Sequence, residues 1–149
     1  MPRVDCGFRD ENGNHNPEQL ALVGPTIAVQ VDFDAAWQSG SKPRPDAEIF
    51  QALVDTGAQF SHIDTSLADR LALPVIDKCL VSGSGGTHEV DVYLAQIYVP
   101  AFKFTQHGRF AGADLSSGFD GHTVLLGRTF LTQFRMIYDG FSGRVTLQN

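Results

Sequence analysis

Asp55, Thr56 and Gly57 form the segment of this sequence whose residue types and spacing could do chemistry. A carboxylate can give or take a proton, and the apolar residues 52–54 predict a strand that delivers Asp55 to a partly buried place. Gly57 permits the tight turn that would expose the carboxylate, and the Thr56 hydroxyl could brace an opposite loop. Asp-Thr-Gly is also an ordinary turn sequence. From these residues alone, a catalytic loop and a structural turn are therefore equal alternatives.

A second segment, Gly83-Ser84-Gly85-Gly86, is rich in glycine and predicts the tip of a hairpin. Such a tip could flex and bring its backbone N–H groups close to the main chain of a bound peptide. The alternatives are a plain β-turn without function and a phosphate-binding loop. A phosphate-binding loop needs a helix directly after the glycines, whereas Val90, Val92 and Leu94 alternate as in a strand. We therefore expect a hairpin.

Short strands must position both segments. Alternating apolar and polar residues, separated by turn-formers, predict strands at residues 26–33, 49–54, 123–126, 136–138 and 144–147, the last two as a hairpin. The apolar residues stand at even positions up to Leu94 and at odd positions from Ile97, which predicts a bulge near Ala95-Gln96. Residues 39–46 predict an exposed loop. Helices are expected only at 65–73, capped by Asp64, and at 128–134. Because long helices do not alternate with the strands, the predicted fold class is all-β.

Length and charge limit the partners. The 149 residues have room for one domain, and the polar start predicts an arm or disordered lead-in at residues 1–19 before a domain at 20–149. The 11 basic and 17 acidic residues give a net charge of −6, without a basic face, so nucleic acid is not an expected partner. No apolar run could span a bilayer and the start lacks the apolar core of a signal peptide. These features predict no membrane partner and a cytoplasmic location.

Metal and thiol chemistry find little support in the sequence. The five histidines include no pair at metal-ligand spacing, so we expect them at the surface or beside the glycine-rich tip. Cys6 and Cys79 form neither a CxxC site nor a disulfide framework. No Gly-x-Ser-x-Gly segment offers a serine nucleophile. The sequence therefore predicts no metal and no cofactor.

Three segments in order resemble the retropepsins, the single-domain aspartic peptidases of retroviruses and their cellular and bacterial relatives. Residues 52–58 resemble the active-site loop of that family, and residues 81–86 resemble its glycine-rich flap tip. Val124-Leu125-Leu126-Gly127-Arg128 resembles its second signature, an apolar pair followed by Gly-Arg and a helix. The resemblance extends over about residues 26 to 138. It implies a closed barrel of short strands with one or two short helices, active as a homodimer.

The resemblance also implies a mechanism. Two Asp55 carboxylates, one from each subunit, would share one proton, activate a water molecule and protonate the carbonyl oxygen of a peptide bond. It implies that Thr56 and Gly57 shape this catalytic loop, and that Leu126, Gly127 and Arg128 support it. Residues lining the bound polypeptide substrate would be Ala58, Gln59, Gly83, Ser84, Gly85 and Gly86. Because the chain has one Asp-Thr-Gly segment and no internal repeat, one copy would supply half a site. The alternative is a catalytically silent dimeric module of the same fold that binds peptides without cutting them.

The sequence departs from the retropepsin pattern in three places. Residues 39–46 lengthen the loop between the first two strands, and the chain continues past the usual end, so residues 136–147 are expected to form the dimer sheet by a different arrangement. Gln59 stands where retroviral members carry an aspartate that pairs with the arginine equivalent to Arg128. A buried guanidinium without a carboxylate is unfavourable. We therefore expect Arg128 to bind Gln59 and backbone carbonyl groups, or else a carboxylate from the arm.

Overall fold

The computed structural model describes residues 2–36, 47–115 and 121–149, so the predicted loop at 39–46 lies outside the described residues. Most elements are strands. In chain order they are β1 (Arg3–Asp5), α1 (Pro17–Val23), β2 (Thr26–Asp32), β3 (Ile49–Val54), β4 (His62–Asp64), α2 (Thr65–Arg70), β5 (Val75–Gly83), β6 (Gly86–Val99), a 3-10 turn (Pro100–Phe102), β7 (Phe104–Ala113), β8 (His122–Leu126), α3 (Arg128–Leu131), β9 (Arg135–Asp139) and β10 (Arg144–Gln148). The all-β prediction is confirmed.

Six strands close into a barrel. Their order is β2-β3-β8-β4-β7-β6, and a further pairing of β6 with β2 completes the ring. The β3–β8 and β4–β7 pairs are parallel and the other neighbours are antiparallel. β5 lies outside the ring, paired with β6 alone among the described strands. Closure removes the open edges that a six-stranded sheet would otherwise present.

The alternating residues of the sequence explain why these segments are strands. In β2, every second residue is buried, and Ile27, Val29 and Val31 face the core. In β3, Phe50, Ala52 and Val54 do the same. Side chains on successive strand residues point to opposite faces, so this period places one apolar row inside the barrel. Strand β3 therefore ends at a buried Val54, and Asp55 follows directly.

The bulge predicted at Ala95-Gln96 is wrong. The β6–β7 ladder runs without interruption from Val92↔Ala111 to Val99↔Phe104. The core-facing residues of β6 are odd-numbered on both sides of this point, from Tyr93 to Val99, whereas the even-numbered apolar residues 90–94 lie on the opposite face. Gln96 lies on that opposite face and is buried with its amide satisfied: it accepts from the Asp34 N–H at 2.9 Å and donates to the Asp34 carbonyl at 3.0 Å. Apolar residues on both faces of the strand, followed by a buried polar residue, thus mimicked a change of register.

A second, three-stranded sheet joins the two ends of the described chain. β10 lies in its centre, between β1 and β9, and both pairs are antiparallel. The predicted hairpin of β9 and β10 is confirmed. The Cys6 N–H donates to the Val145 carbonyl at 2.8 Å, and the Cys6 side chain is fully buried. The start of the chain is thus part of the folded unit, although the division at residue 20 stays a prediction.

The helices are short. Asp64 caps α2 as expected: its Oδ2 accepts from the Leu67 N–H at 3.3 Å. The helix ends at Arg70, three residues before the predicted end. α3 is likewise shorter than predicted, and turns continue to Phe134, whose N–H donates to the Leu131 carbonyl. In the described part of the chain, no helix has the length and apolar character needed to cross a membrane. The cytoplasmic location stays a prediction.

Candidate active site

The loop that follows β3 holds the Asp55 carboxylate in a defined position. The Asp55 N–H donates to the Leu126 carbonyl at 2.9 Å, which extends the parallel β3–β8 pairing by one residue. The carboxylate Oδ1 accepts from the Gly57 N–H at 2.9 Å, and the Ala58 N–H donates to the Asp55 carbonyl at 3.3 Å. Residues 55–58 therefore form a tight turn around the acid, as the sequence indicated.

The segment after β8 packs directly against this loop. Gly127 lies so close that a Cβ atom there would be 2.5 Å from the Phe60 carbonyl oxygen, so the close approach requires glycine. The Gly127 N–H donates to the Ser61 hydroxyl at 3.1 Å, and the Arg128 N–H donates to the Ala58 carbonyl at 2.9 Å. The predicted supporting residues Leu126, Gly127 and Arg128 are thus brought to the Asp55 loop.

The expectation of a buried Arg128 guanidinium is wrong. The residue is exposed, and its Nη1 donates to the Thr56 carbonyl at 2.9 Å. This is the backbone-carbonyl arrangement that the sequence left open. Among the described residues Arg128 makes no ion pair with the acidic residues near the start of the chain. Asp5 instead binds Arg9, at 3.3 Å. Water can solvate the guanidinium, so no carboxylate is required.

The loop is open to solvent in a single chain. Asp55 and Ala58 are half-buried, whereas Thr56, Gly57 and Gln59 are exposed, and Phe60 is 53% exposed. A carboxylate that is fixed by its own backbone yet accessible on one side can receive a substrate or a second protein surface. This exposure is a property that a purely structural turn does not need.

The β5–β6 hairpin carries the glycine-rich tip. Its end is exposed, with Gly83 paired to Gly86 and Gly86 in the left-handed region at φ +96°. A strand follows the glycines, so the phosphate-binding alternative is excluded. In the part of the chain that the structure describes, residues 83–86 make no hydrogen bond to residues 55–59. The hairpin body nevertheless shares a mainly apolar groove of about 280 Å³ with the loop, lined by Phe60, Cys79, Val92, Arg109 and Ala111.

His62 lies beside the site, and no motif in the sequence singles it out. It begins β4, between Ala111 of β7 and Leu125 of β8, and is half-buried with its Nδ1 enclosed and without a hydrogen-bond partner among the described residues. Burial lowers its pKa, while the Phe60 carbonyl and the Asp55 charge act in the opposite direction. The sequence offered only a weak signal for a role of His62, namely its position shortly after the Asp55 loop. The expectation of a surface histidine is also wrong for His122, which is buried with Nε2 2.7 Å from the Thr26 hydroxyl.

Metal and thiol chemistry find little support among the described residues. Among residues 2–36, 47–115 and 121–149, no three histidine, cysteine or acidic side chains are grouped so that they could hold a metal ion. Burial, and secondarily the charge of Asp5, raise the pKa of the Cys6 thiol to about 12, which leaves it protonated and unreactive. The reactive candidate at this site is a carboxylate.

Comparison with known proteins identifies a family and a fold. The sequence profile described as aspartyl protease matches residues 46–130, which is more than half of the chain. The search of curated proteins found no match to this sequence. The structure is similar to EIAV protease in complex with the inhibitor HBY-793, with 22% identity, coverage of 73% of this chain and 86% of that one, and a TM-score of 0.50. It is also similar to a retropepsin-like aspartic protease from Rickettsia conorii, with 14% identity, coverage of 97% and 89%, and a TM-score of 0.50. The chain therefore belongs to the aspartyl protease family, with a retropepsin-like fold.

Proposed function

We propose that this protein is an aspartic endopeptidase whose active site is built by two copies of the chain, each contributing Asp55. One observation carries the proposal. The Asp55 carboxylate is fixed by the Gly57 N–H in a loop that one chain leaves open, and the sequence has no second Asp-Thr-Gly segment. A two-fold axis beside this loop would supply the missing acid.

The chemistry follows from two carboxylates at short range. Like charges that close cannot both ionise comfortably, so the pair holds one proton between them. The ionised carboxylate takes a proton from a water molecule, which attacks the carbonyl carbon of the peptide bond. The protonated carboxylate donates to the carbonyl oxygen. Neither a covalent intermediate nor a metal ion takes part in this scheme.

Substrate binding is proposed for two regions. Ala58 and Gln59 would contact the peptide from the Asp55 loop, and the flap formed by Gly83, Ser84, Gly85 and Gly86 would cover it. The shared groove between Phe60 and Cys79 supports this arrangement, because it connects the loop with the hairpin. An extended peptide can bind between such elements as an added strand. The peptidase domain is proposed to span residues 20–149, with the arm at 1–19 contributing β1 to the terminal sheet.

The proposal is tested with Asp55→Asn. The amide has the shape of the carboxylate but can neither hold the shared proton nor act as a base, so we expect peptide cleavage to disappear while the fold is kept. A peptide library incubated with the protein at mildly acidic pH, and analysed by mass spectrometry, gives the readout. Asp69→Asn, on the exposed side of α2, is the matched control and should cleave like the parent.

Two outcomes would contradict the proposal. If Asp55→Asn cuts the same bonds as the parent, Asp55 is not the catalytic acid. If the parent binds peptides and leaves all of them intact, the protein is the silent binding module instead.

A further inference from the structure

Strand β9 has an open edge. It is the outer strand of the terminal sheet, whose order is β1-β10-β9, and no described strand pairs with its far side. Ile137 and Tyr138, in the middle of this short strand, are 55% and 52% exposed. Unpaired strand edges with exposed apolar side chains tend to pair with another chain.

The direction of the backbone groups along this edge can be deduced. The Cys6 N–H donates to the Val145 carbonyl at 2.8 Å, so Val145 directs its backbone groups toward β1. Successive residues alternate, so Thr146 directs its groups toward β9, and its partner Ile137 directs its groups toward β10. Met136 and Tyr138 therefore present their N–H and C=O groups at the open edge.

We infer that β9 pairs antiparallel with β9 of a second copy, about a two-fold axis at Ile137, so that the two terminal sheets form one six-stranded sheet. This inference rests on the proposed function, which requires two copies, and it adds where they meet. In this register Met136 lies opposite Tyr138 of the second copy, and Ile137 lies opposite itself. Arg135 of each copy lies opposite Asp139 of the other.

The strand sequence is complementary to itself in this register. Arg135 and Asp139 form two opposite-charge pairs across the axis, and opposite charges in directly facing positions stabilise a strand pair. Hydrogen bonds from Ser142 hold the pKa of Asp139 below its ordinary value, which keeps that carboxylate ionised. Ile137 would form a pair without mutual hydrogen bonds, the type in which side chains approach most closely. A shift by one residue would lose both charge pairs.

The hairpin turn supports the same register. Phe141, at the turn between β9 and β10, is 97% exposed. The antiparallel pairing brings it beside Gln133 of the second copy. Gln133 is one of the residues that line a cavity of about 290 Å³, together with Thr132, Phe134, Arg135, Gln148 and Asn149. An exposed aromatic ring would thus meet a concave surface.

The other open edges are less suited to self-pairing. β1 has three residues, so it offers a shorter ladder than the five residues of β9. β5 also exposes an apolar side chain, Leu80, but its middle is charged, where Lys78 pairs with Asp91 of β6 at 3.5 Å, and the strand belongs to the hairpin proposed as the flap. β9 is also tied to the active-site loop, because α3 begins with hydrogen bonds to Ala58 and Gln59 and leads directly to Arg135. A contact at β9 can therefore position the two loops.

The test is a disulfide across the axis, in the 149-residue protein with Cys79→Ser to remove the partly exposed thiol. Facing Cα atoms in such a pair are about 4.5 Å apart, within disulfide range, so Ile137→Cys should form a covalent dimer under mild oxidation. Thr146→Cys is the matched control: it faces the same side of the sheet on the neighbouring strand. Its copies would lie about 14 Å apart and should stay unlinked.

A second variant keeps the test independent of cysteine geometry. Arg135→Glu places like charges opposite each other twice and should raise the dimer dissociation constant roughly tenfold in sedimentation. Arg3→Glu makes the same charge change on the far strand of the sheet and should leave the constant unchanged. If the protein is a dimer and an active peptidase but neither variant behaves as expected, the β9 contact is wrong and the proposed function stands. A monomer that cleaves peptides at every concentration overturns both.

Discussion

Single side chains around Asp55 differ in how firmly the chain holds them. The Gly57 N–H fixes one carboxylate oxygen at 2.9 Å, and the Arg128 Nη1 bridges to the Thr56 carbonyl at the same distance. His62, by contrast, is enclosed with a nitrogen that no described group satisfies. The Arg128 contact and the half-buried histidine each lead to a measurable effect on stability.

Arg128→Ala removes one hydrogen bond from an exposed guanidinium to the loop backbone. We expect the free energy of unfolding to fall by about 1 kcal/mol, which lowers the melting temperature by a few degrees. Gln59→Asp should raise the melting temperature, because it offers Arg128 a charge-assisted partner. Thermal melts of both single variants and the double variant give the interaction free energy between residues 59 and 128. If Gln59→Asp stabilises the Arg128→Ala protein equally, the gain does not come from this pair.

His62 makes the stability depend on pH. Its pKa is lowered from 6.5 in the folded protein, mainly by burial, so the unfolded chain takes up the proton first as pH falls. The contribution of neutral His62 is fully present above about pH 6.5, and it is lost as pH falls toward the lowered folded-state pKa. We expect His62→Gln to lose less stability than the parent between pH 7 and about pH 5 in urea unfolding. Exposed His107→Gln is the control, and an identical pH slope in His62→Gln and the parent would refute the effect.

At the scale of elements, Gly127 connects β8 to α3 at a point where two backbones touch. An alanine Cβ there would lie 2.5 Å from the Phe60 carbonyl oxygen, and backbone must move to make room. We expect Gly127→Ala to destabilise the protein by roughly 1–3 kcal/mol in denaturant unfolding and to reduce peptide cleavage, because the displaced segment carries the Asp55 loop. Gly83→Ala, with no atom within 4 Å of its Cβ, should leave stability unchanged. Equal stability of both variants would show that the backbone at Phe60 can move away from residue 127 without a measurable loss of stability.

The sequence predicted elements whose signals are local. Alternation identified β2, β3, β8 and the β9–β10 hairpin, and Asp64 marked the start of α2. It did not indicate that β6 closes the barrel on β2, because that pairing joins residues about 65 positions apart and depends on no short pattern. The bulge prediction failed because β6 carries apolar residues on both faces, and because Gln96 is satisfied by Asp34, a partner that only the folded chain provides. His62 was missed for the same reason: its burial depends on β7 and β8.

At the scale of the whole molecule, the proposed site exists only when two copies meet. Mass action then governs activity, so cleavage per chain should fall on dilution at constant substrate concentration. Kinetics and sedimentation should be measured over one range of protein concentration. The concentration at which half of the activity per chain is lost should coincide with the concentration at which half of the dimer has dissociated. Activity per chain that stays constant while sedimentation shows dissociation to monomers would rule out a shared site.

The pairing of β1 with β10 also has a consequence for the order of events during folding. Arg3 lies opposite Gln148, so this ladder joins residues 145 positions apart and cannot form until β10 has been synthesised. Closing so long a loop is entropically unfavourable, and such contacts tend to form late. Until β1 docks, the Cys6 thiol is uncovered and can react; once docked, it is fully buried. Protection of this cysteine from a thiol reagent therefore records when β1 docks on β10 during folding.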